Sequence, residues 1–498
     1  MILWFWLLLL GFITYIILRQ RVAHLTRTPV WVLWLALMAP AFLWMVWLVI
    51  HGEETPLPTE VALGSFLVSP LIYWILFFWG RRDMRPPLEQ DPDVTPAPES
   101  AGIKAGSRPV PPASPQELRA LNDGEEQELR DCFDWTVYAL HQIDYRPQAV
   151  ICRGQLRSPP DSAYQKIRAK IEDKFGDRFL IIFQEDFKGQ PFFILVPNPE
   201  PAVQLDELNK PGLALLLAGI TLFTTTLVGS QIAAVSPEQV QSNPELLLQG
   251  LPYAVALMLI LGIHESGHYF AAAFYKIKTT LPYFIPFPLF LGTFGAFIKI
   301  RSPMPNRKAL FDVSIAGPLA GFVVTLPLLW WGLVHSTVVP MPEDATMFQI
   351  TALDPKTSLI FTFLSKLALG SQLTLTSAIN LHPVAVAGYI GLIATALNLI
   401  PVGQLDGGHI IHAMFGQVKA TRISQITRFV FLGLAWMQRG WIIWALLLFL
   451  MPVVDSPALN DVSELDNRRD ILGLLAIALL LAIVLPAPRL ITQWLNII

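Results

Sequence analysis

Two histidines four residues apart bracket a glutamate in the run His264-Glu265-Ser266-Gly267-His268. On a helix, residues i and i+4 share a face, so both imidazoles can reach one ion. Zinc favours nitrogen and oxygen ligands, and a catalytic site keeps one position open for water. Glu265, beside the first histidine, is placed to take a proton from that water and pass it to a leaving amine. The bland alternative is a buried polar cluster without a metal. Against it, ionisable groups inside an apolar segment are expensive and call for a functional reason.

Two histidines leave such a site one protein ligand short. The run Asn398-Leu-Ile-Pro401-Val-Gly-Gln-Leu405-Asp406-Gly407-Gly408-His409 offers Asp406, 142 residues after His264 (406 minus 264). Pro401 and Gly403 loosen the chain there, and Gly407 and Gly408 permit the close approach that a shared carboxylate needs. Taken alone, Asp-Gly-Gly reads as a helix-end cap; beside an intramembrane H-E-x-x-H it reads as the third ligand.

The elements that must position these groups are apolar. The chain has 498 residues, 53% hydrophobic and 15% charged, with mean hydropathy +0.50. It carries many runs of about 20 apolar residues, the length that spans a bilayer. The net charge of -3 gives no reason to propose nucleic acid as a partner. Cys132 and Cys152 form no C-x-x-C pattern and suggest neither a disulfide framework nor a thiolate metal site. The start, Met1-Ile2-Leu3-Trp4-Phe5-Trp6, lacks a basic region and reads as a retained span.

Three apolar segments, 2–18, 29–50 and 61–80, form an N-terminal membrane region over 1–85. Arg19, Arg21, Arg27, Arg81, Arg82 and Arg85 make its basic loops cytoplasmic. A Pro- and Ser-rich linker follows at 86–113. Residues 114–200 read as a small cytoplasmic α+β domain of order β-α-β-β. Its strands are placed at 148–152, 179–183 and 191–196, its helix at 162–176, and a turn at Asp186–Gly189. Residues 201–498 form the catalytic membrane region, with apolar segments near 211–234, 249–275, 309–335, 383–404, 425–453 and 470–487. The fifth is interrupted at Gln438-Arg439-Gly440 and reads as one long span or two short ones. Residues 281–298 are apolar but hold three prolines and two glycines, so they cannot face lipid. They read as a re-entrant loop or an edge-like strand near the site.

The two motifs together resemble the site-2 protease family of intramembrane metalloproteases. The resemblance implies zinc held by His264, His268 and Asp406, with Glu265 as catalytic base. Gly292-Thr-Phe-Gly-Ala-Phe297, Ala316-Gly-Pro-Leu-Ala-Gly321 and Pro401–Gly408 resemble the chloroplast and cyanobacterial branch, whose plant members are known from ethylene-dependent, gravitropism-deficient, yellow-green mutants. Arg153-Gly154-Gln155-Leu156-Arg157 resembles that branch's G-N-L-R motif, with Gln in place of Asn. The specific resemblance covers roughly 150–470. It implies a polytopic α-helical membrane protein in the plasma or thylakoid membrane of a cyanobacterium-like cell. It also implies a site-2-protease-like core acting on membrane-protein substrates; the cytoplasmic placement of the 114–200 module just before the catalytic spans suggests a substrate-gating domain.

Asn398, one turn before Pro401, is a candidate to hydrogen-bond an extended substrate. Gly292, Phe294 and Gly295 are candidates to bind it in β-fashion. His409, His412, His382 and His335 read as interface or loop residues. Two rival functions are a catalytically silent membrane scaffold or chaperone of the same fold, and a metal transporter. The second would need acidic or histidine residues spread along several spans, and the sequence has one compact cluster.

Overall fold

Long apolar runs become helices here because in hydrocarbon a backbone must satisfy its own amides. The computed structural model describes most of 11–19, then 26, 28–52, 59–80, 123–146, 149–186, 188–198, 210–288, 291–340, 353–374, 377–437, 442–495 and 497. By its internal contacts the chain divides into two units, Met1–Pro109 and Val110–Ile498. In the first, α1 (Val30–His51) packs against α2 (Thr59–Trp79). The apolar segment at 2–18 lies mostly outside the described residues, as does the linker at 86–113.

The second unit begins with α3 (Asp123–Cys132), β1 (Tyr138–Arg146), β2 (Ala149–Leu156), α4 (Pro160–Phe175), β3 (Phe179–Glu185) and β4 (Pro191–Pro197). The strands form one antiparallel sheet of order β1-β2-β4-β3. Three strands are legible in the sequence and the sheet has four. In β1 the register shifts between Leu140 and Gln142, and that irregularity spoils the period-2 alternation by which a strand is read. Tyr164, Ile167 and Ile171 of α4 are buried in a core with Phe183, Phe193 and Tyr138. Leu459 and Val462, from far along the chain, complete that core. The free edge of β3 is covered by their segment: Phe183 donates to the Leu459 carbonyl at 2.7 Å, and Asp461 donates to the Phe183 carbonyl at 2.8 Å. Both cysteines are free and buried here.

The helical part follows as α5 (Pro211–Ile232), α6 (Leu251–Phe274), β5 (Tyr283–Pro286), β6 (Thr293–Phe297) and α7 (Arg307–Val334). After them come β7 (Thr337–Pro340), α8 (Leu359–Leu369), β8 (Ser377–Asn380), α9 (Pro383–Leu399) and α10 (Asp406–Phe415). The chain closes with α11 (Gln417–Met437), α12 (Ile442–Leu450), α13 (Asn467–Val484) and α14 (Arg489–Trp494). Among the described residues, Val30–His51, Pro211–Ile232, Pro244–Phe274 and Arg307–Val334 are long and apolar enough to cross a membrane. The segment expected at 425–453 is two helices, with Gln438-Arg439-Gly440 outside the described residues. α8 is absent from the sequence reading because its 11 residues, which include Thr362, Ser365 and Lys366, are too few to register as a span.

Helices α6, α7 and α9 pack on one another to form the heart of the unit. Glycines let them approach: a Cβ on Gly267 of α6 would lie 2.5 Å from the Ala316 carbonyl oxygen of α7. A second tie joins α6, α7 and α13. Asp312 accepts from Arg469 at 2.7 and 2.6 Å and from the Tyr275 hydroxyl at 2.5 Å. Three helix ends are thereby held around the residue that precedes Val313.

Candidate metal centre

On α6, His264, Glu265 and His268 are all buried. Asp406 opens α10, just after α9 ends and the chain turns through Ile400–Leu405. Gly407 and Gly408 make that turn possible: a Cβ on either would lie 2.1 or 2.2 Å from the carbonyl oxygens of Leu399 and Gly403. Gly403 itself has φ +51, a left-handed conformation that favours glycine.

The result is a tight triangle. His268 Nε2 lies 3.2 Å from His264 Nε2 and 3.3 Å from Asp406 Oδ2, and His264 Nε2 lies 3.6 Å from the same oxygen. Ligands at about 2.0–2.1 Å around a tetrahedral centre stand about 3.3 Å apart, so these donors could hold a zinc ion as they are placed. The His268 ring is oriented from behind, its Nδ1 donating to the Val313 carbonyl at 2.7 Å. That leaves the Nε2 lone pair for a metal. The glycines of the Ala316–Gly321 run explain themselves here. A Cβ on Gly317 would overlap the His268 ring at 2.1 Å, and one on Gly321 would press His264 at 3.1 Å.

Asn398, on α9, places its side-chain nitrogen 3.1 Å from His264 Nε2. The 281–298 stretch is the β5–β6 hairpin, whose Ile285 faces Gly295 and Pro286 faces Thr293. It is pinned from behind: Thr224 donates to the Gly292 carbonyl at 2.7 Å, and Tyr253 to the Leu291 carbonyl at 2.9 Å. Gly292 (φ +81) therefore sits in the turn against α5, where a Cβ would lie 2.5 Å from Thr225 Cα. Phe294 is exposed, and Gly295 has φ +107. Among the described residues β6 pairs with no strand but β5. Just beyond it, Ile298 lines the same cavity as Glu265. Ala296, Ile298, Asn398 and the triangle line one cavity of about 880 Å³.

The same cavity is lined by His409, which the sequence reads as an interface residue, and by Asp455, to which no motif points. His409, on α10, donates from Nδ1 to Asp455 at 2.8 Å, and the buried Asp455 also holds His412 Nδ1 at 2.7 Å. His412 is not the interface residue its sequence context suggests. It is fully buried, and its Nε2 meets Asp461 at 2.9 Å. An imidazole without water must find partners, and these two acids supply them. The legible signal was Asp455 and Asp461 in a segment flanked by apolar helices; their partners were not legible.

A scan against family models matches residues 252–437 to peptidase family M50 and residues 127–204 to the EGY3 middle domain. The chain is 34% identical over 350 residues to the probable zinc metalloprotease EGY2, chloroplastic, of Arabidopsis thaliana, covering 68% of this chain and 60% of that protein. It is 29% identical over 373 residues to EGY1 of Arabidopsis thaliana, covering 68% and 66%. It is 25% identical over 374 residues to EGY3 of Oryza sativa subsp. indica, covering 71% and 63%. Against the EGY2 relatives the chain thus spans about 60% of their length. No solved structure matches. Falling as they do on the helices and the sheet just described, these matches make residues 252–437 similar to peptidase family M50 and the chain similar to the EGY-type zinc metalloproteases.

Proposed function

We propose that the protein is a zinc metalloprotease that hydrolyses peptide bonds of transmembrane or membrane-anchored proteins within or near the bilayer. One observation carries the reading: His264, His268 and Asp406 converge to tetrahedral spacing beside Glu265, in a cavity that is also lined by Ala296 and Phe297 of β6. His264, His268 and Asp406 would hold a zinc ion, which when bound would supply Lewis-acid activation of a water molecule. Glu265, buried beside His264, receives the proton of that water and returns it to the leaving amine. A peptide bond must be extended to be reached. Strand β6, with Gly295 and the exposed Phe294, pairs with the substrate backbone, while Gly292 anchors the hairpin. Asn398 steadies the substrate from the opposite wall by hydrogen bonding.

The host membrane is the plasma or thylakoid membrane of a cyanobacterium-like cell, with the 114–200 module on the cytoplasmic side as a substrate-gating domain. Its sheet edge is covered by residues 459–461, beside His412 of the helix that begins with Asp406. Cleavage left unchanged for every substrate after removal of 114–200 would eliminate the gating role. For the activity itself, the test is cleavage of a tagged membrane substrate by wild type and Glu265→Gln. The variant is expected to lose about 10³-fold or more in rate while keeping its zinc. Equal cleavage by both proteins would sink the protease reading.

A further inference from the structure

His409 is the feature of this cavity that the zinc chemistry above leaves unused. It lies three residues after Asp406 on α10, so the two side chains share a helix face. It lines the same cavity as His264, Glu265 and His268. Its Nδ1 is committed to Asp455 at 2.8 Å, and among the described residues Nε2 has no hydrogen-bond partner. Nε2 is therefore the ring nitrogen left for whatever enters the cavity.

Asp455 is buried and held rigidly. Oδ2 takes both His409 and His412, and Oδ1 accepts from the Ser456 backbone amide at 2.6 Å. Behind it His412 passes the ladder on to Asp461 at 2.9 Å. The ladder His409–Asp455–His412–Asp461 contains two imidazoles and two carboxylates. Burying three such groups to support a helix is poor economy, since apolar side chains of equal volume would serve as well or better. A polar chain that ends on a cavity-facing imidazole has a use that packing does not.

We propose that His409 is a further catalytic residue, donating a hydrogen bond from Nε2 to the carbonyl oxygen of the scissile peptide as that oxygen gains negative charge. Asp455 is its positioning residue, holding the ring through Nδ1 so that Nε2 is left for the substrate. No covalent bond to His409 forms or breaks: the attacking water's proton goes to Glu265 and then to the leaving amine. A donor fixed in advance by a buried carboxylate costs no reorganisation as the charge develops. The proposal rests on the protease reading above.

The test is single-turnover cleavage of a tagged membrane substrate by wild type, Glu265→Gln, His409→Ala, His409→Gln and Asp455→Asn, with zinc content measured on each. For His409→Ala the expected result is a kcat lower by about 10²-fold, with KM within a few-fold and zinc retained, the range reported for loss of one such donor. His409→Gln, which keeps a side-chain N–H, should recover part of the loss, and Asp455→Asn should fall between His409→Ala and wild type. His409→Ala within about threefold of wild type while Glu265→Gln is dead overturns the role of His409 alone. Loss of zinc in step with activity also overturns it, because His409 would then only support the helix of Asp406. Equal cleavage by wild type and Glu265→Gln overturns both readings at once.

Discussion

Gly317→Ala is expected to lower zinc affinity by about 100-fold and to take cleavage down with it, although the residue touches neither the metal nor the substrate. A methyl group at 317 would stand 2.1 Å from His268 Nε2 and 2.4 Å from Cδ2. Something has to move, and the ring is the only part free to do so. The helices cannot slide apart cheaply, since α6 and α7 already touch backbone to backbone at Gly267 and Ala316. If the ring swings away, it loses the 2.7 Å bond from Nδ1 to the Val313 carbonyl and its place in the triangle. Changes in the shell that orients a metal ligand cost about 10–100-fold in affinity, and direct overlap belongs at the upper end. The fold should not suffer, because alanine is the better helix former by about 1 kcal/mol. Gly321→Ala provides the contrast: its nearest contact, 3.1 Å to His264, can be relieved by a few tenths of an ångström, and zinc should remain. Zinc stoichiometry after dialysis, with helicity as the control for folding, checks the pair. Full zinc in Gly317→Ala would refute the packing argument.

His412→Ala is expected to be the most destabilising single change in this part of the protein. Removing the ring leaves Asp455 and Asp461 buried without the group that bridges them. Breaking a buried pair by deleting one partner costs about 3–5 kcal/mol, well above the typical effect of a point substitution. The loss should be visible locally. Residues 459–461 are held to β3 through the Phe183 and Asp461 amides, and their hydrogen exchange should rise first. Exchange unchanged at both amides would remove the idea that His412 holds the segment.

The same pair predicts how stability follows pH. Burial alone would push His412 down, but the hydrogen bonds and charges of Asp455 and Asp461 outweigh it and raise the ring to about 9. A group raised in the folded state stabilises fully below its unfolded value, about 6.5, and the contribution is lost as pH rises through about 9. Asp455 is shifted the other way. Burial opposes its ionisation, and the hydrogen bonds from His409 and His412 more than offset this and hold it below the usual range. Its share is present above about 3.9 and lost as pH falls below that. Stability measured from pH 5 to 10 should therefore decline at the alkaline end in wild type, and less in His412→Ala.

What could be read along the chain was whatever depends on near neighbours. The i, i+4 spacing of His264 and His268 needs only a helix to put both rings on one face, and the apolar run around them ensures the helix. Asp406 stood out because a carboxyl after an apolar run, followed by two glycines, has few ordinary explanations. The hairpin at 283–297 was foreshadowed by prolines and glycines that no lipid-facing helix would carry. The tertiary structure decided everything that requires distant segments to meet. It set the 3.2–3.6 Å triangle, the glycine at 317 shaped to the His268 ring, and the closing of a sheet edge by residues 459–461. It also decided what His412 does. A histidine in an apolar context looks the same on paper whether it faces lipid headgroups or two buried acids. Only packing, which removes water and so makes unpaired charge intolerable, brings Asp455 and Asp461 to it and ties the small sheet to the helix that opens with Asp406.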